Sequence, residues 1–509
     1  MQASNRMILN TIVMYVKYVV NMAVALFSSR WVLLALGEED FGIYSLVAGL
    51  LSMLMFLNVT MASSTQRFLS YAVGTRDESL MRETFHNSCI IHFFIGAIIL
   101  CLFESVGIYF LHHVLSVPMG KMHLAEFVLH SMSISTFITI ICVPYYASLI
   151  THENIVYVSI VQIAEALMKF GVAYWLLYLA QDQLRFYAMA MMTISIIGSL
   201  AFFIYGVKSY KETHLSFRWV RDSKQMKKLL SYSSWNLIGG ISSMLRNQGV
   251  ALLLNTFFGV VVNAAWGIAQ QINGQLSFFS HAIVTATRPQ IVKSEGSGNR
   301  NRMLSLSMST CKITFLILAI IAVPLIVEMP YILEIWLKKV PDNTITFSRY
   351  ILLLTMIAQL SIGISISVES VGNIKLMQLM VGGLHFVVLP AGYILLKLHC
   401  LPYAVCVVML VEELLAFCFR LSVARKVAGL PVVFFIKSIV IPAVACILFT
   451  YSICLLLTQL VNEGFLRLIM ISACSILLIS YIAYNYILFD NERNKILSFC
   501  ESVVTLHKK

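Results

Sequence analysis

Apolar stretches of about 20 residues or more recur along the whole chain, separated by short polar segments. A run such as ITFLILAIIAVPLIV, residues 313–327, is apolar on every side and cannot be the single buried face of a soluble helix. In lipid each backbone polar group must be satisfied inside its own segment, so runs of this length are expected as helices. The pattern predicts an all-α polytopic membrane protein. Composition agrees: the 509 residues are 59% apolar and only 12% charged, against about 25% charged in soluble domains.

Breaks at charged and turn-forming clusters give about fourteen transmembrane helices. Their approximate limits are 9–35, 41–68, 87–112, 125–150, 155–180 and 185–207, then 229–256, 262–288, 305–329, 346–372, 376–397 and 402–421, and last 432–459 and 465–488. The expected organisation is a six-helix bundle over 1–207, a basic cytoplasmic linker over 208–228 and a second six-helix bundle over 229–421. Two additional transmembrane helices over 422–488 and a cytoplasmic tail over 489–509 complete it. With the N-terminus inside, alternate loops and their flanks hold about 24 Lys and Arg against about 8 on the other side. Both termini are therefore expected in the cytoplasm. The first apolar run is long and leads at once into further spans, so a cleaved signal peptide is not expected.

The net charge of +12 is distributed over alternate loops, which points to membrane topology and away from nucleic acid. The eleven cysteines are scattered, with Cys89, Cys142, Cys311 and Cys446 inside apolar blocks, where thiols behave as small hydrophobes. No spacing suggests a disulfide framework or a metal site, and no cofactor is expected.

The halves echo each other. FGIYSL (Phe41–Leu46) is answered by WGIAQQ (Trp266–Gln271), and TQRFLSYAVGTRDESLM (Thr65–Met81) by RPQIVKSEGSGNRNRM (Arg288–Met303). Both matches fall at the same place in each half. Internal repeats of this kind are common in transporters and put a substrate path between two bundles.

Polar residues inside the spans carry the functional signal. At about 100° per residue, Asn10, Lys17, Asn21 and Ser28 share an arc of about 40° on the first span, while Arg30 points elsewhere. On the eighth span Asn263, Gln270, Gly274, Ser277, His281 and Arg288 share roughly one face. On the seventh, Gly239, Ser242, Ser243 and Arg246 do so more loosely. Asn, Gln and Ser also serve as glue between membrane helices, and a single His is as well explained by packing. A lone cation at depth more often lines a cavity or path, which singles out Lys17 and Arg246.

Among the acids, Glu165 and Lys169 stand one turn apart, as a neutral pair or as an ion-coupling site. Glu412 and Glu413 lie near the middle of their span, and Glu412 is a second coupling candidate. Glu104 and Glu369, nearer the ends of their spans, are explained equally well as proton or sodium carriers and by snorkelling to an interface, and Lys312 by snorkelling. Pro144, Pro324, Pro390 and Pro442 bend their helices, as static kinks or as hinges.

The sign of the lining suggests the cargo. Lys17 and Arg246 at depth, with Arg288 at the inner mouth, suit an anion, and Arg suits phosphate or pyrophosphate. Asn, Gln and Ser suit sugar hydroxyls. A lipid-linked, phosphate-bearing saccharide meets both conditions, with its apolar tail left in the bilayer.

The segment SSRWVLLALGEEDFGIYSLVAGLLSMLMFLNVTMASSTQRFLSYAVG (Ser28–Gly74) resembles the opening of bacterial polysaccharide flippases of the O-antigen and capsule type. These belong to the multidrug/oligosaccharidyl-lipid/polysaccharide exporter superfamily. The likeness lies in an LGxxDFGIY-like turn, a TQRFLSY-like end to the second span and about fourteen spans over essentially the whole chain. It implies two six-helix bundles around a central cavity, with two extra C-terminal helices. It also implies transport of undecaprenyl-pyrophosphate-linked oligosaccharide from the inner to the outer leaflet of the bacterial cytoplasmic membrane. Lys17 and Arg246 match the cation-lined first and seventh helices of that family. A polysaccharide polymerase and other assembly proteins are further candidate partners. The chain departs from the family in its irregular repeat and in lacking a clear coupling carboxylate on the first span.

Three rivals remain. A drug or cation exporter of the same superfamily would place acids in the first bundle, and the first two spans hold none at depth. A membrane-embedded polymerase or ligase would need a sizeable outer loop and a catalytic constellation. No outer loop here exceeds about 20 residues, and no set of His, carboxylate or nucleophile has catalytic spacing, so no enzyme is expected. A scaffold for assembly machinery is the third.

Overall fold

The computed structural model describes residues 3–113, 117, 119–179, 181–214, 223–337, 340–490 and 492–494. Of these, 3–8, 25–26, 38, 50, 52–59, 119 and 223 are described by backbone alone. Of the segment expected as a linker, 215–222 lies outside the described residues, as does 495–509 of the expected tail.

The described residues are helical almost throughout and contain no strand. Two very long helices, Ala3–Thr75 and Ser223–Gly296, are each interrupted once, at Gly37 (φ 73°, ψ 175°) and Gly259 (φ 78°, ψ −171°). Both conformations are closed to residues with a Cβ, so each glycine turns one helix into two spans. The breaks stand early in each half, a structural counterpart of the internal repeat. We number the products α1 (3–36) and α2 (38–75), then α7 (223–258) and α8 (260–296).

Between them lie α3 (Glu78–His113), α4 (Met122–Thr151), α5 (Ile155–Leu176) and α6 (Gln183–Ser209). After α8 come α9 (Arg300–Val327), α10 (Thr344–Val371), α11 (Lys375–Lys397), α12 (Ala404–Ala428), α13 (Val432–Leu460) and α14 (Phe465–Ile487). These fourteen correspond to the fourteen expected spans. The protein is a polytopic all-α membrane protein.

By length and composition alone, eleven helices among the described residues qualify as spans, with α7 and α8 taken as one. Helix α12 does not qualify. Glu412, Glu413 and Arg420 fall inside it, and its eligibility depends on what neutralises them.

The chain divides into two compact units: Asn10–Gly240 with Gly296–Gly298, and Met1–Leu9 with Ile241–Glu295 and Asn299–Lys509. In the first, here the N-terminal unit, one apolar core gathers Val32, Leu36, Ile43, Val47, Phe103, Leu129 and Leu176 around the turn between α1 and α2. A second gathers Leu69, Phe85, Tyr145 and Ala147 near the far end of α2. The start of α7 belongs to this unit. Asn236 donates to Ser63 Oγ (3.0 Å) and Ser64 Oγ (3.3 Å) on α2, and the Arg67 guanidinium lies 5.4 Å from the Tyr232 ring. Ser148 near the end of α4 and His152 just after it engage Glu212, just beyond α6.

In the C-terminal unit, α9 and α10 supply much of the core, packed against α13 and α14 through Phe315, Ala319, Val323, Leu352, Ala443, Cys446 and Ile479. Charge reinforces this packing. Arg467 Nη2 on α14 donates to Glu328 Oε2 at the end of α9 (2.9 Å). Near the middle of α9, fully buried Lys312 pairs with Glu492 beyond α14 and lies 3.8 Å from the Phe489 ring centre. The expectation that Lys312 snorkels is corrected: its ammonium is satisfied inside the protein, because Glu492 folds back to meet it.

Candidate functional site

The site is built on α1. Every third or fourth residue from Asn10 (Asn10, Met14, Lys17, Asn21, Ser28, Val32, Leu36) points into the N-terminal unit, while Ile12, Val16, Val19, Met22, Phe27, Leu33 and Leu34 are exposed. A membrane helix normally turns its apolar side chains both ways. Here the outer side is apolar and the inner side carries the amide, amine and hydroxyl groups. Arg30 is exposed, away from the stripe.

Helices α4, α5 and α6 close round this stripe and leave a cavity of about 670 Å³. Lys17, Asn21 and Ser28 line it from α1, Ser131 and Ser135 from α4, Gln162, Glu165 and Lys169 from α5, and Ser195 from α6. Phe41, Tyr44, Met132, Tyr187 and Met191 form its apolar wall. A further space of about 310 Å³ shares Gln162, Glu165 and Ser195 and continues to Cys142, Tyr146 and Ser199. Such volumes are typical of small-molecule sites.

Lys17 lies about 12 Å along the helix from Leu9, the first residue of its span. It is 6% exposed, and its ammonium donates to Gln162 Oε1 (3.0 Å). No carboxylate forms an ion pair with it among the described residues. Two polar atoms of the same wall, Asn21 Oδ1 and Ser28 Oγ, are buried without a hydrogen-bond partner in the protein, so each is open to a water or a ligand.

Glu165 and Lys169 both line the cavity, and no ion pair joins them among the described residues. The Glu165 carboxylate lies over Gly198 on α6, where an added Cβ would fall 1.4 Å from Oε1. Only glycine lets the acid lie there. The cavity thus holds two amines, one acid and an array of hydroxyls and amides.

The other residues singled out by sequence lie elsewhere. Asn10 is buried and donates to the Glu153 carbonyl (3.3 Å), a structural contact. Asn263 and Gln270 are half-buried on α8 of the C-terminal unit. Arg288, also on α8, is ion-paired with Glu369 of α10. Arg246 is 8% exposed and donates through Nη1 to Glu412 Oε2 (2.7 Å), with Glu413 Oε2 at 3.6 Å. Glu412 Oε1 also accepts from His385 Nδ1 (2.8 Å), and Glu413 Oε1 accepts from Arg420 (2.5 Å).

Of the three cations expected to form one anion-binding lining, only Lys17 faces a cavity without an acidic partner; the other two are each neutralised. Sequence reasoning passed over Gln162, Ser131, Ser135 and Ser195, because single polar residues on α4 to α6 give no stripe of their own. It treated Lys169 only as a partner for Glu165.

No family model and no curated protein matches this sequence. Solved structures do match its fold. A MATE crystallised in the bent conformation superposes with a TM-score of 0.74 at 14% identity, covering 84% of this chain and 98% of that one. A MATE in complex with MaL6 gives 0.73 at 14% identity, over 84% and 96%. A MOP superfamily transporter from Pyrococcus furiosus, whose binding pocket is described as having reverse polarity, gives 0.70 at 14% identity, again over 84% and 96%. At this identity the likeness establishes the fold: this chain is built like those transporters.

Proposed function

We propose that the protein is a transporter that moves a lipid-linked oligosaccharide, joined to its undecaprenyl carrier by pyrophosphate, from the cytoplasmic to the outer leaflet of the bacterial inner membrane. The observation that carries the reading is Lys17: a buried amine with no ion-pair partner among the described residues, on the polar wall of a cavity rich in hydroxyl and amide groups. An unpaired cation at this depth is costly unless an anion or water meets it. The amine suits a phosphate oxygen, and Asn21, Gln162 and the serines Ser28, Ser131, Ser135 and Ser195 suit sugar hydroxyls. The transporter fold supports the reading, as does the sequence resemblance at Ser28–Gly74.

In this mechanism the headgroup enters the cavity from the cytoplasmic side with Lys17 and Lys169 near its charge. It leaves on the other side while its apolar tail stays in lipid. Arg246 and Arg288 take no direct part in the resting state, since Glu412 and Glu369 hold them.

A second reading, a multidrug or small-molecule exporter, is favoured by one observation. Glu165 also faces the cavity, with no hydrogen-bond or ion-pair partner among the described residues, and an acid there would suit an organic cation. Proteoliposomes separate the two. With the flippase, a fluorescent pyrophosphate-linked glycolipid crosses the bilayer, Lys17→Ala abolishes the crossing and Glu165→Gln preserves most of it. Export of a cationic dye that survives Lys17→Ala but not Glu165→Gln would overturn the flippase reading.

A further inference from the structure

The charged cluster of the C-terminal unit has a composition that lining a path does not explain. Arg246 comes from α7, His385 from α11, Glu412, Glu413 and Arg420 from α12, and Ser361 from α10 accepts from Arg420 (3.0 Å). Arg246, His385, Glu412 and Glu413 are all more than nine-tenths buried. His385 sits near the middle of its helix, about 15 Å from Lys375 and about 18 Å from Lys397 along the axis. Close contact between α7 and α11 lets the charges meet. A Cβ at Gly249 would lie 2.5 Å from Leu389, and one at Gly382 would lie 3.0 Å from Ser242 Oγ.

Two arginines, which stay protonated, balance two carboxylates, so the cluster is neutral when His385 is neutral. A carboxylate can only accept, so the Nδ1 that faces Glu412 carries the imidazole hydrogen. That leaves Nε2, which has no partner among the described residues, as the open acceptor. His385 touches Glu412 of α12 directly, and the other charged groups of the cluster follow behind it in a chain: Arg246 of α7 on Glu412 and Glu413, and Arg420 of α12 on Glu413. Helix α10 brings Ser361 but no free charge, since its Arg349 donates to the Ile326 carbonyl and its Glu369 pairs with Arg288. The imidazole is the one group in the cluster whose ordinary titration range spans neutral pH.

We infer that His385 and Glu412 form a proton-binding site, and that loading it transfers Arg246 from Glu412 to Glu413. The proton adds to Nε2, giving an imidazolium that competes with Arg246 for the Glu412 carboxylate. Glu413 Oε2, 3.6 Å from Arg246 Nη1, is already within reach as the alternative partner. Arg246 Nε is buried and unpartnered, so this side chain is not locked by a full set of hydrogen bonds. Loading leaves one net positive charge among α7, α11 and α12 and loosens the contact that Arg246 makes with Glu412. The inference does not depend on the cargo proposed above.

The test uses the full-length protein in phospholipid nanodiscs, with histidine and arginine side chains ¹⁵N-labelled for solid-state NMR between pH 5 and 9. The imidazole signal missing in His385→Gln is expected to take up one proton within this range. The Arg246 guanidinium signals, identified by Arg246→Lys, are expected to shift over the same pH interval. In Glu412→Gln, which removes the carboxylate beside the imidazole, the midpoint of that proton uptake is expected to move to lower pH. An imidazole that keeps one form from pH 5 to 9 overturns the proton site, as does a midpoint unchanged in Glu412→Gln. Arg246 signals that stay still while His385 titrates overturn the transfer. If Glu412→Gln does not insert, the wild-type titration and the arginine signals decide both points without it. Transport is not measured, so failure of the flippase reading would leave these results unchanged, and the reverse holds too.

Discussion

Lys17 and Arg246 occupy matching places, each a buried cation on the first helix of its half, and their surroundings differ completely. Lys17 shares its cavity with hydroxyls and amides and rests on a neutral glutamine. Arg246 is clamped by two carboxylates from a helix 166 residues further along. A charge in a membrane helix is tolerated either by access to water or a ligand, or by pairing. The two units use one solution each. The lesson is that depth in a span marks a cation as significant without saying which solution it has.

The largest test of this contrast is removal of one member of the clamp. Glu412→Ala leaves Arg246 and His385 short of their shared acceptor and should cost about 3–5 kcal/mol of stability. Thermal unfolding in detergent would register this as a large drop, and the double variant Arg246→Gln/Glu412→Gln should recover much of it. In the other unit, Gly198→Ala must push the Glu165 carboxylate aside, at a cost of about 1–3 kcal/mol. Transport should change more than stability if the acid serves the cavity.

Lys17→Ala removes one hydrogen bond and an unpaired charge, so its stability should move by no more than about 0.5–1.5 kcal/mol. If the protein is the flippase proposed above, surface polysaccharide should nevertheless disappear, with milder loss in Lys17→Arg. A drop in stability as large as that of Glu412→Ala would erase the distinction between the units.

The smallest effect is expected beyond the spans, at Glu212. Burial raises its pKa, but hydrogen bonds from His152, a backbone amide and Ser148 outweigh burial and hold it below the usual value of 4.5. A carboxylate depressed in the folded state stabilises it above the unfolded value, and that contribution is lost as pH falls through the folded value. Melting temperature should therefore decline as pH falls below about 4.5, and Glu212→Gln should flatten that decline.

The stripe on α1 was legible because its information is local. Helical periodicity alone puts Asn10, Lys17, Asn21 and Ser28 on one side, and the exposed apolar residues between them show that this side faces inward. The rest of the cavity was not legible, since Gln162, Ser131 and Ser195 are isolated polar residues in apolar runs. Arg246 was read as free because nothing near it in the chain is acidic. Helix α12 shows the same division. Its hydrophobic length placed a span at 402–421, but only the structure shows that Arg246 and Arg420 pair with its Glu412 and Glu413.

Sequence by itself determined the class of molecule, the approximate position of fourteen helices and the polar face of the first, because hydrophobic length and helical period act within one segment. Tertiary structure alone decided which buried charges are paired and which face open space. Pairing depends on distances between helices far apart in the chain, and the low dielectric of the membrane makes the presence or absence of a partner the dominant energy.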